Sequence, residues 1–387
     1  MQTQLRQAVV VAFGRTPYCK ARKGSFAQLH PVEYGAQTLL GVLARVPQLR
    51  PEDIGDVIMG CAMPFGVQGG NMARLIVQRA GLPDCVTAQT VNRYCSSGLQ
   101  TIATAANAIR CGEEDVVIAG GVESMSLVPM LVGAEDADPW LAEHRPEVYT
   151  TMGITAENVA RQWGISRADM DAMAVESHRR AAQAQAGGCF DGQIIPITVH
   201  GKRENTVITT DEHVRRDTTL EKLAKLKPTF KADGRVTAGN ASGMNDASSG
   251  VLLMEEELSK KLGLPILARV VAVATTGVSP DLMGIGPISA TQKVLEKAGL
   301  TVSDIDLFEI NEAFAAQCVA CQRTLGIDED KLNVNGGGIS LGHPVGATGS
   351  RLVVTLLYEL KRRGGKYGLA TLCAGGGMGT AVLIKMA

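Results

Sequence analysis

Parts of this sequence occur twice, and that constrains its fold more than any other feature. Residues Pro51–Cys61 (Pro-Glu-Asp-Ile-Gly-Asp-Val-Ile-Met-Gly-Cys) resemble Val302–Glu312 (Val-Ser-Asp-Ile-Asp-Leu-Phe-Glu-Ile-Asn-Glu). Further on, Val91–Gly121 resembles Val334–Gly376. Each copy reads as a strand, a loop of small residues, a helix, a polar turn, and an apolar strand ending in glycines. Self-similarity on this scale means a duplicated structural unit. Short apolar runs at Ala8–Phe13, Asp56–Gly60, Val116–Ala119, Val270–Ala274, Leu307–Ile310, Leu369–Cys373 and Ala381–Ile384 read as strands. Between them Leu99, Ile102, Ala103, Ala106 and Ile109, and again Leu352, Val353, Leu356, Leu357 and Leu360, follow helical spacing. Strands alternating with helices of this length imply βαβ units, an α/β class and a largely parallel sheet.

The two copies differ in one respect. In the second, a closing strand (Thr380–Lys385) follows at once, whereas its match in the first, Val251–Met254, comes much later. Residues 122–236 therefore read as an insertion into a first half made of 1–121 and completed by 237–262, and 263–387 form the second half. The insertion holds both Trp (Trp140, Trp163) and four of the six His.

Composition removes several classes of function. Lys+Arg 38 against Asp+Glu 39 leaves a net charge of −1, so no basic field attracts nucleic acid. No apolar run approaches a membrane span, and the polar Met1–Arg6 lacks the core of a secretion signal. The nine Cys are odd in number and form no paired Cys-x-x-Cys array, which predicts reduced thiols in a cytoplasmic protein and no metal site. With 44 Gly and only 4% aromatic residues, backbones are expected to approach closely.

Two facing α/β halves create a cleft beyond their strand ends, where ligands bind. That restricts attention to Cys95, Asn311, His343 and Cys373. Cys95, between a strand and a helix opening at Ser96 or Ser97, would have its thiolate favoured by the helix N-terminus. His343, in Gly336-Gly-Gly-Ile-Ser-Leu-Gly-His-Pro-Val-Gly-Ala-Thr-Gly, is placed rigidly and with a pKa near neutrality suits a general base. Cys373 leads into Ala374-Gly-Gly-Gly-Met-Gly, whose N–H groups can converge on an oxyanion. Asn311 reads either as a helix N-cap or as the holder of a water against a carbonyl. Cys318 and Cys321, lacking a second pair, read as core residues. Taken singly, each of the four also reads as an ordinary core or loop residue.

Taken together and in order, Asn92-Arg-Tyr-Cys-Ser-Ser-Gly, Asn311-Glu-Ala-Phe-Ala, Gly342-His-Pro-Val-Gly and Cys373-Ala-Gly-Gly-Gly resemble the thiolase family. The resemblance runs from Arg15-Thr-Pro through Met152-Gly-Ile-Thr-Ala-Glu-Asn-Val-Ala and Val236-Thr-Ala-Gly-Asn-Ala-Ser-Gly-Met-Asn-Asp, spanning the chain. It implies a thiolase fold: two duplicated βα halves in five α-β-α-β-α layers with a loop domain inserted in the first. It implies an acyl-CoA:acetyl-CoA C-acyltransferase of degradative type. Cys95 would be the nucleophile that carries the acyl thioester, His343 its base, and Cys373 the acid–base toward carbon. His343 and an Asn311-held water would form one oxyanion hole; the N–H groups of Cys95 and Gly375 would form the other.

The same resemblance makes CoA a co-substrate beside 3-ketoacyl-CoA and acetyl-CoA, with no tightly bound cofactor. Ser242, Ala238 and Gly239 would lie along the pantetheine arm and Arg215 near the adenine end, with Met152 and Phe314 completing the CoA-binding set. A homodimer or homotetramer is implied, with a hydratase/dehydrogenase as a further partner. Three positions depart from relatives: Asn245-Asp-Ala-Ser-Ser, Arg216, and Thr151 ahead of Met152-Gly153, the last favouring the degradative branch. The alternatives are biosynthetic condensation of two acetyl-CoA, a non-catalytic acyl-CoA-binding protein on the same fold, and a cysteine hydrolase.

Overall fold

Each expected apolar run becomes a strand. The computed structural model of the chain describes residues 6–130, 136–201 and 203–387; 131–135 and 202, inside the expected insertion, and 1–5 lie outside the described residues. Its strands are β1 (Ala8–Arg15), β2 (Cys19–Lys20), β3 (Asp56–Gly60), β4 (Thr87–Val91), β5 (Val116–Ser124), β6 (Ile197–His200), β7 (Asn205–Ile208), β8 (Asn245–Glu255), β9 (Ala268–Gly277), β10 (Leu307–Ile310), β11 (Tyr367–Ala374) and β12 (Met378–Met386). The helices are α1 (Pro31–Leu43), α2 (Met72–Arg79), α3 (Ser97–Cys111), α4 (Pro139–His144), α5 (Met152–Gln162), α6 (Arg167–Ala186), α7 (Leu220–Ala224), α8 (Glu256–Lys261), α9 (Gly286–Ala298), α10 (Ala315–Leu325), α11 (Gly338–Leu341) and α12 (Val345–Arg363).

The strands run in the order β4-β3-β5-β8-β1-β9-β12-β11-β10, with β2 beside β8 and β6-β7 a separate hairpin. The duplication is visible in this order. β3 and β5, joined through α3, are parallel, as are β10 and β11, joined through α12. β8 lies antiparallel to β5 from Val116↔Met254 to Ser124↔Asp246, as β12 lies beside β11. The counterpart of β4 in the second half is reduced to one bridge, Phe308 to Leu332.

The expectation of a largely parallel sheet is corrected. Only β3–β4, β3–β5 and β10–β11 are parallel; every other pairing in the large sheet is antiparallel. A helical crossover returns the chain in the same direction, but β11 reaches β12 through the Gly375–Gly377 turn, too short for a crossover, so the closing strand must run back.

Packing separates five layers. α1 and α2 cover one face of the first half through residues such as Leu39, Val42 and Ile76 against Val9, Val57 and Ile118. α9 and α10 cover the second half through Val294, Leu295, Cys318 and Cys321 against Ile310, Leu369 and Leu383. Between the sheets lie α3 and α12, which share one apolar cluster with strands of both halves. All of α12 from Val345 to Leu357 is buried, as a helix without a solvent face must be.

The two central helices touch backbone to backbone: a Cβ on Gly98 would stand 2.7 Å from the Gly346 carbonyl oxygen. From the expected insertion, α5 and α6 pack with α10 and the end of β11 in a further apolar cluster. Its return loop is tied to β1 by a buried ion pair, Arg15 Nη1 and Nη2 donating to Asp211 at 2.6 and 2.8 Å. Among the described residues no helix is long and apolar enough to cross a membrane.

Candidate active site

Cys95 sits in a turn that its neighbours over-determine. The Tyr94 N–H donates to Asn92 Oδ1 (2.8 Å), the Arg93 N–H to Ser97 Oγ (2.9 Å), and Ser97 Oγ–H to the Tyr94 carbonyl (2.6 Å). These bonds hold Tyr94 at φ 47 and deliver Cys95 immediately before α3. The Cys95 side chain is buried, and its thiol feels the backbone N–H groups of Gly375 and of Cys95 itself. Both favour thiolate, yet burial outweighs them and pushes the thiol up to about 11. The expected net gain from the helix N-terminus is thus reversed. Cys373, fully buried at the end of β11, has its thiol pushed up by burial and by the neighbouring Cys95 sulfur.

His343 is fixed from several sides. α11 makes one turn, Gly342 follows at φ 105, and a Cβ there would collide with the Asn245 amide, so only glycine fits. The His343 N–H donates to the Gly243 carbonyl at 2.9 Å. Its Nδ1 lies 2.6 Å from Thr348 Oγ1, and that hydroxyl lies 2.9 Å from the Pro344 carbonyl. A carbonyl can only accept, so the Thr348 proton goes to Pro344 and its oxygen accepts from Nδ1–H. Nε2 is then the unprotonated nitrogen. Burial, helped by the positive Arg351, pushes the imidazole down to about 3, which corrects the expectation of a pKa near neutrality. The ring is a neutral base throughout the physiological range.

Asn311 stands beside that ring, Nδ2 3.4 Å from each of its nitrogens. The N-cap alternative is excluded, because α10 begins only at Ala315, with Phe314 in the cap position. Instead the Asn311 N–H donates to the Thr371 carbonyl (3.1 Å), and its own carbonyl accepts from Gln317 Nε2 (3.0 Å). That bond to β11 puts Asn311 at the strand end next to the one carrying Cys373. Its Oδ1 is buried with no donor among the described residues. The adjoining Glu312 is saturated by Ser177 Oγ (2.6 Å), Asn333 Nδ2 (3.0 Å) and Ile339 N–H (3.1 Å), which locks this corner.

The N-termini of α3 and α12 meet where Gly98 faces Gly346, and β5 ties the start of α12 to the loop after β3. Buried Glu123, on β5, accepts from the N–H groups of Gly346 (2.7 Å) and Ala62 (2.8 Å). Of the residues expected to hold CoA, Phe314 and Met152 share an apolar cluster with Cys373, and Met152 Sδ lies 3.8 Å from where a Gly375 Cβ would be. The Ser242 N–H donates to the Ala313 carbonyl (3.0 Å), and Ala241 pairs with Phe314. Gly239 faces Leu223 and Leu226, and Ala238 is exposed. Arg215 is exposed, its N–H donating to His178 Nδ1 at 3.1 Å; no contact links it to the cysteines. A cleft of about 570 Å³ between α6 and α10 is lined by Ser177, Arg180, Glu312 and Asn333 and contains none of the four candidates.

Sequence reasoning missed Thr348, Glu123 and Asn245. Thr348 had a legible signal, a hydroxyl residue one helical turn beyond an imidazole that needs a partner; the other two act through tertiary contacts alone.

Two family models match the chain, the thiolase N-terminal domain over residues 8–257 and the thiolase C-terminal domain over 264–386. A 3-ketoacyl-CoA thiolase of Bacillus subtilis is 48% identical over 99% of this chain and 100% of that protein. An acetyl-CoA acetyltransferase of Chromobacterium violaceum is 47% identical over 94% of this chain and 95% of its own length. A peroxisomal 3-ketoacyl-CoA thiolase A of Mus musculus is 46% identical, covering 99% and 92%. The crystal structure of a Bacillus anthracis acetyl-CoA acetyltransferase superimposes with a TM-score of 0.93 at 43% identity, covering 99% of this chain and 100% of that one. The duplicated halves, the likeness in fold and the matches over nearly the full length agree: the chain belongs to the thiolase family of acyl-transferring enzymes.

Proposed function

We propose that this enzyme cleaves 3-ketoacyl-CoA with CoA, giving acetyl-CoA and an acyl-CoA shortened by two carbons. His343 Nε2 takes the Cys95 proton as the sulfur attacks the 3-keto carbon. The Cα–Cβ bond breaks and the acetyl-CoA enolate leaves. The Cys373 S–H protonates its carbon, and the imidazolium returns a proton to the Cys373 sulfur. CoA–SH then gives its proton to His343 and attacks the thioester, and Cys95 leaves as thiolate to be reprotonated. The N–H groups of Cys95 and Gly375 receive one oxyanion; His343 and a water accepted by Asn311 Oδ1 receive the other.

The observation that supports this reading is Asn311, whose N–H donates to Thr371, two residues before Cys373, and whose Nδ2 lies 3.4 Å from each nitrogen of His343. On the same reading CoA lies along Ser242, Gly239 and Ala238 with its adenine end toward Arg215, residues 122–236 form the inserted domain, and the enzyme is a cytoplasmic homo-oligomer. Thr151 ahead of Met152 favours the degradative direction over biosynthetic condensation. The test is intact mass after brief exposure to acetyl-CoA, with initial rates on acetoacetyl-CoA and 3-ketooctanoyl-CoA. An acetyl adduct at Cys95 and turnover of both substrates are expected. No adduct sinks the mechanism, and turnover of acetoacetyl-CoA alone sinks the degradative direction.

A further inference from the structure

Among the described residues, Arg22, Tyr94 and Asn333 hold a positive φ without being glycine. Tyr94 is the aromatic one, where a left-handed backbone is a costly outlier. Burial does not account for the choice of side chain, because 43% of Tyr94 is exposed although the next residue is Cys95. The ring lies edge-on along the glycine turn. Its Cγ and Cδ2 are 3.5 and 3.7 Å from where a Gly375 Cβ would stand, and its Cε2 is 3.9 Å from the same point on Gly376. Met152 Sδ approaches the same point on Gly375 at 3.8 Å. Phenol ring and thioether therefore border Gly375, on a turn with no side chains of its own.

We propose that the Tyr94 ring is the apolar surface on which the substrate's acyl chain lies, and that it sets the enzyme's preference for acyl length. An acyl group on Cys95 with its oxygen at the Gly375 N–H has its chain beside this ring. An aromatic ring offers contact at little entropic cost, and the left-handed turn sets its edge along the glycines. Each methylene laid on such a surface strengthens binding by up to about fourfold. The inference rests on the proposed thiolytic function.

The test compares wild type with Tyr94→Gly, which suits the φ, and Tyr94→Phe, which keeps the ring. Tyr94→Gly is expected to lower the ratio of kcat/KM for 3-ketooctanoyl-CoA over acetoacetyl-CoA by about tenfold, while acetylation of Cys95 by acetyl-CoA persists; Tyr94→Phe is expected to keep the wild-type ratio. An unchanged ratio in Tyr94→Gly, with wild type active on both substrates, overturns this inference alone. An equal loss on both with a raised KM for CoA places the ring on the CoA arm and overturns it too. A wild type confined to acetoacetyl-CoA overturns the degradative reading as well.

Discussion

The loop entering α3 and the loop entering α12 are two copies of one unit, and they hold their functional side chains by different means. The first relies on polar side chains, Asn92 and Ser97, which bend the backbone into a left-handed turn at Tyr94. The second relies on glycine, with Gly342 left-handed against the Asn245 amide, and on the Thr348 hydroxyl. Burial then acts on both residues in the sense that favours the neutral form: the Cys95 thiol goes up to about 11, the His343 imidazole down to about 3. A resting thiolate–imidazolium pair is disfavoured in the free enzyme. On the proposed mechanism the proton therefore leaves sulfur only as the bond to carbon forms, taken by a neutral base. The strand ends diverge in the same way. β11 ends in Cys373, whereas β5 carries Glu123, whose carboxylate is consumed in holding Gly346 and Ala62. On the proposed mechanism one strand end supplies a reacting thiol, while the other braces the start of the helix that follows the base.

This comparison breaks first at the nucleophile. Cys95→Ser should lower turnover by about a thousandfold or more while CoA still binds, as measured by steady-state rates and by calorimetric titration. A loss of less than about tenfold would remove Cys95 from the reaction path. Next comes the hydroxyl that sets the His343 tautomer. Thr348→Val should cut kcat about 10- to 100-fold with KM for substrate little changed, and Thr348→Ser should restore it. A base held near 3 stays unprotonated well below pH 6.5, so wild-type kcat/KM should not fall through that pH as an ordinary imidazole would make it. A single ionisation near 6.5 on the acid limb would show that His343 is more open to water than its burial implies.

The two copies also differ in what their sequences disclose. The duplication, the strand runs and the four candidate positions are local patterns, and glycines before His343 or after Cys373 mark a backbone that must turn tightly. The antiparallel closing strands were not legible, because strand direction depends on how β12 and β8 return and not on their own residues. Nor were the charge states. A thiol at a helix N-terminus and an imidazole in a loop carry the same letters whether wet or dry, and burial by both halves decides. Glu123 and Asn245 act only through partners far along the chain.

The smallest effect sharpens the comparison where the two copies touch. Gly98 is ordinary helical backbone, so alanine there should gain about 1 kcal/mol of helix propensity. Its Cβ would stand 2.7 Å from the Gly346 carbonyl oxygen and 2.9 Å from the Ser350 N–H nitrogen and hydroxyl. The backbone atoms cannot swing aside as a side chain would, so α3 and α12 must separate, at a typical overpacking cost of about 1–3 kcal/mol. Gly98→Ala should therefore be destabilised by up to about 2 kcal/mol, read as a lower urea midpoint at unchanged slope, with a several-fold fall in kcat as Cys95 and His343 move apart. A variant that is more stable and fully active would mean that the central helices have slack, and that the site does not depend on their contact.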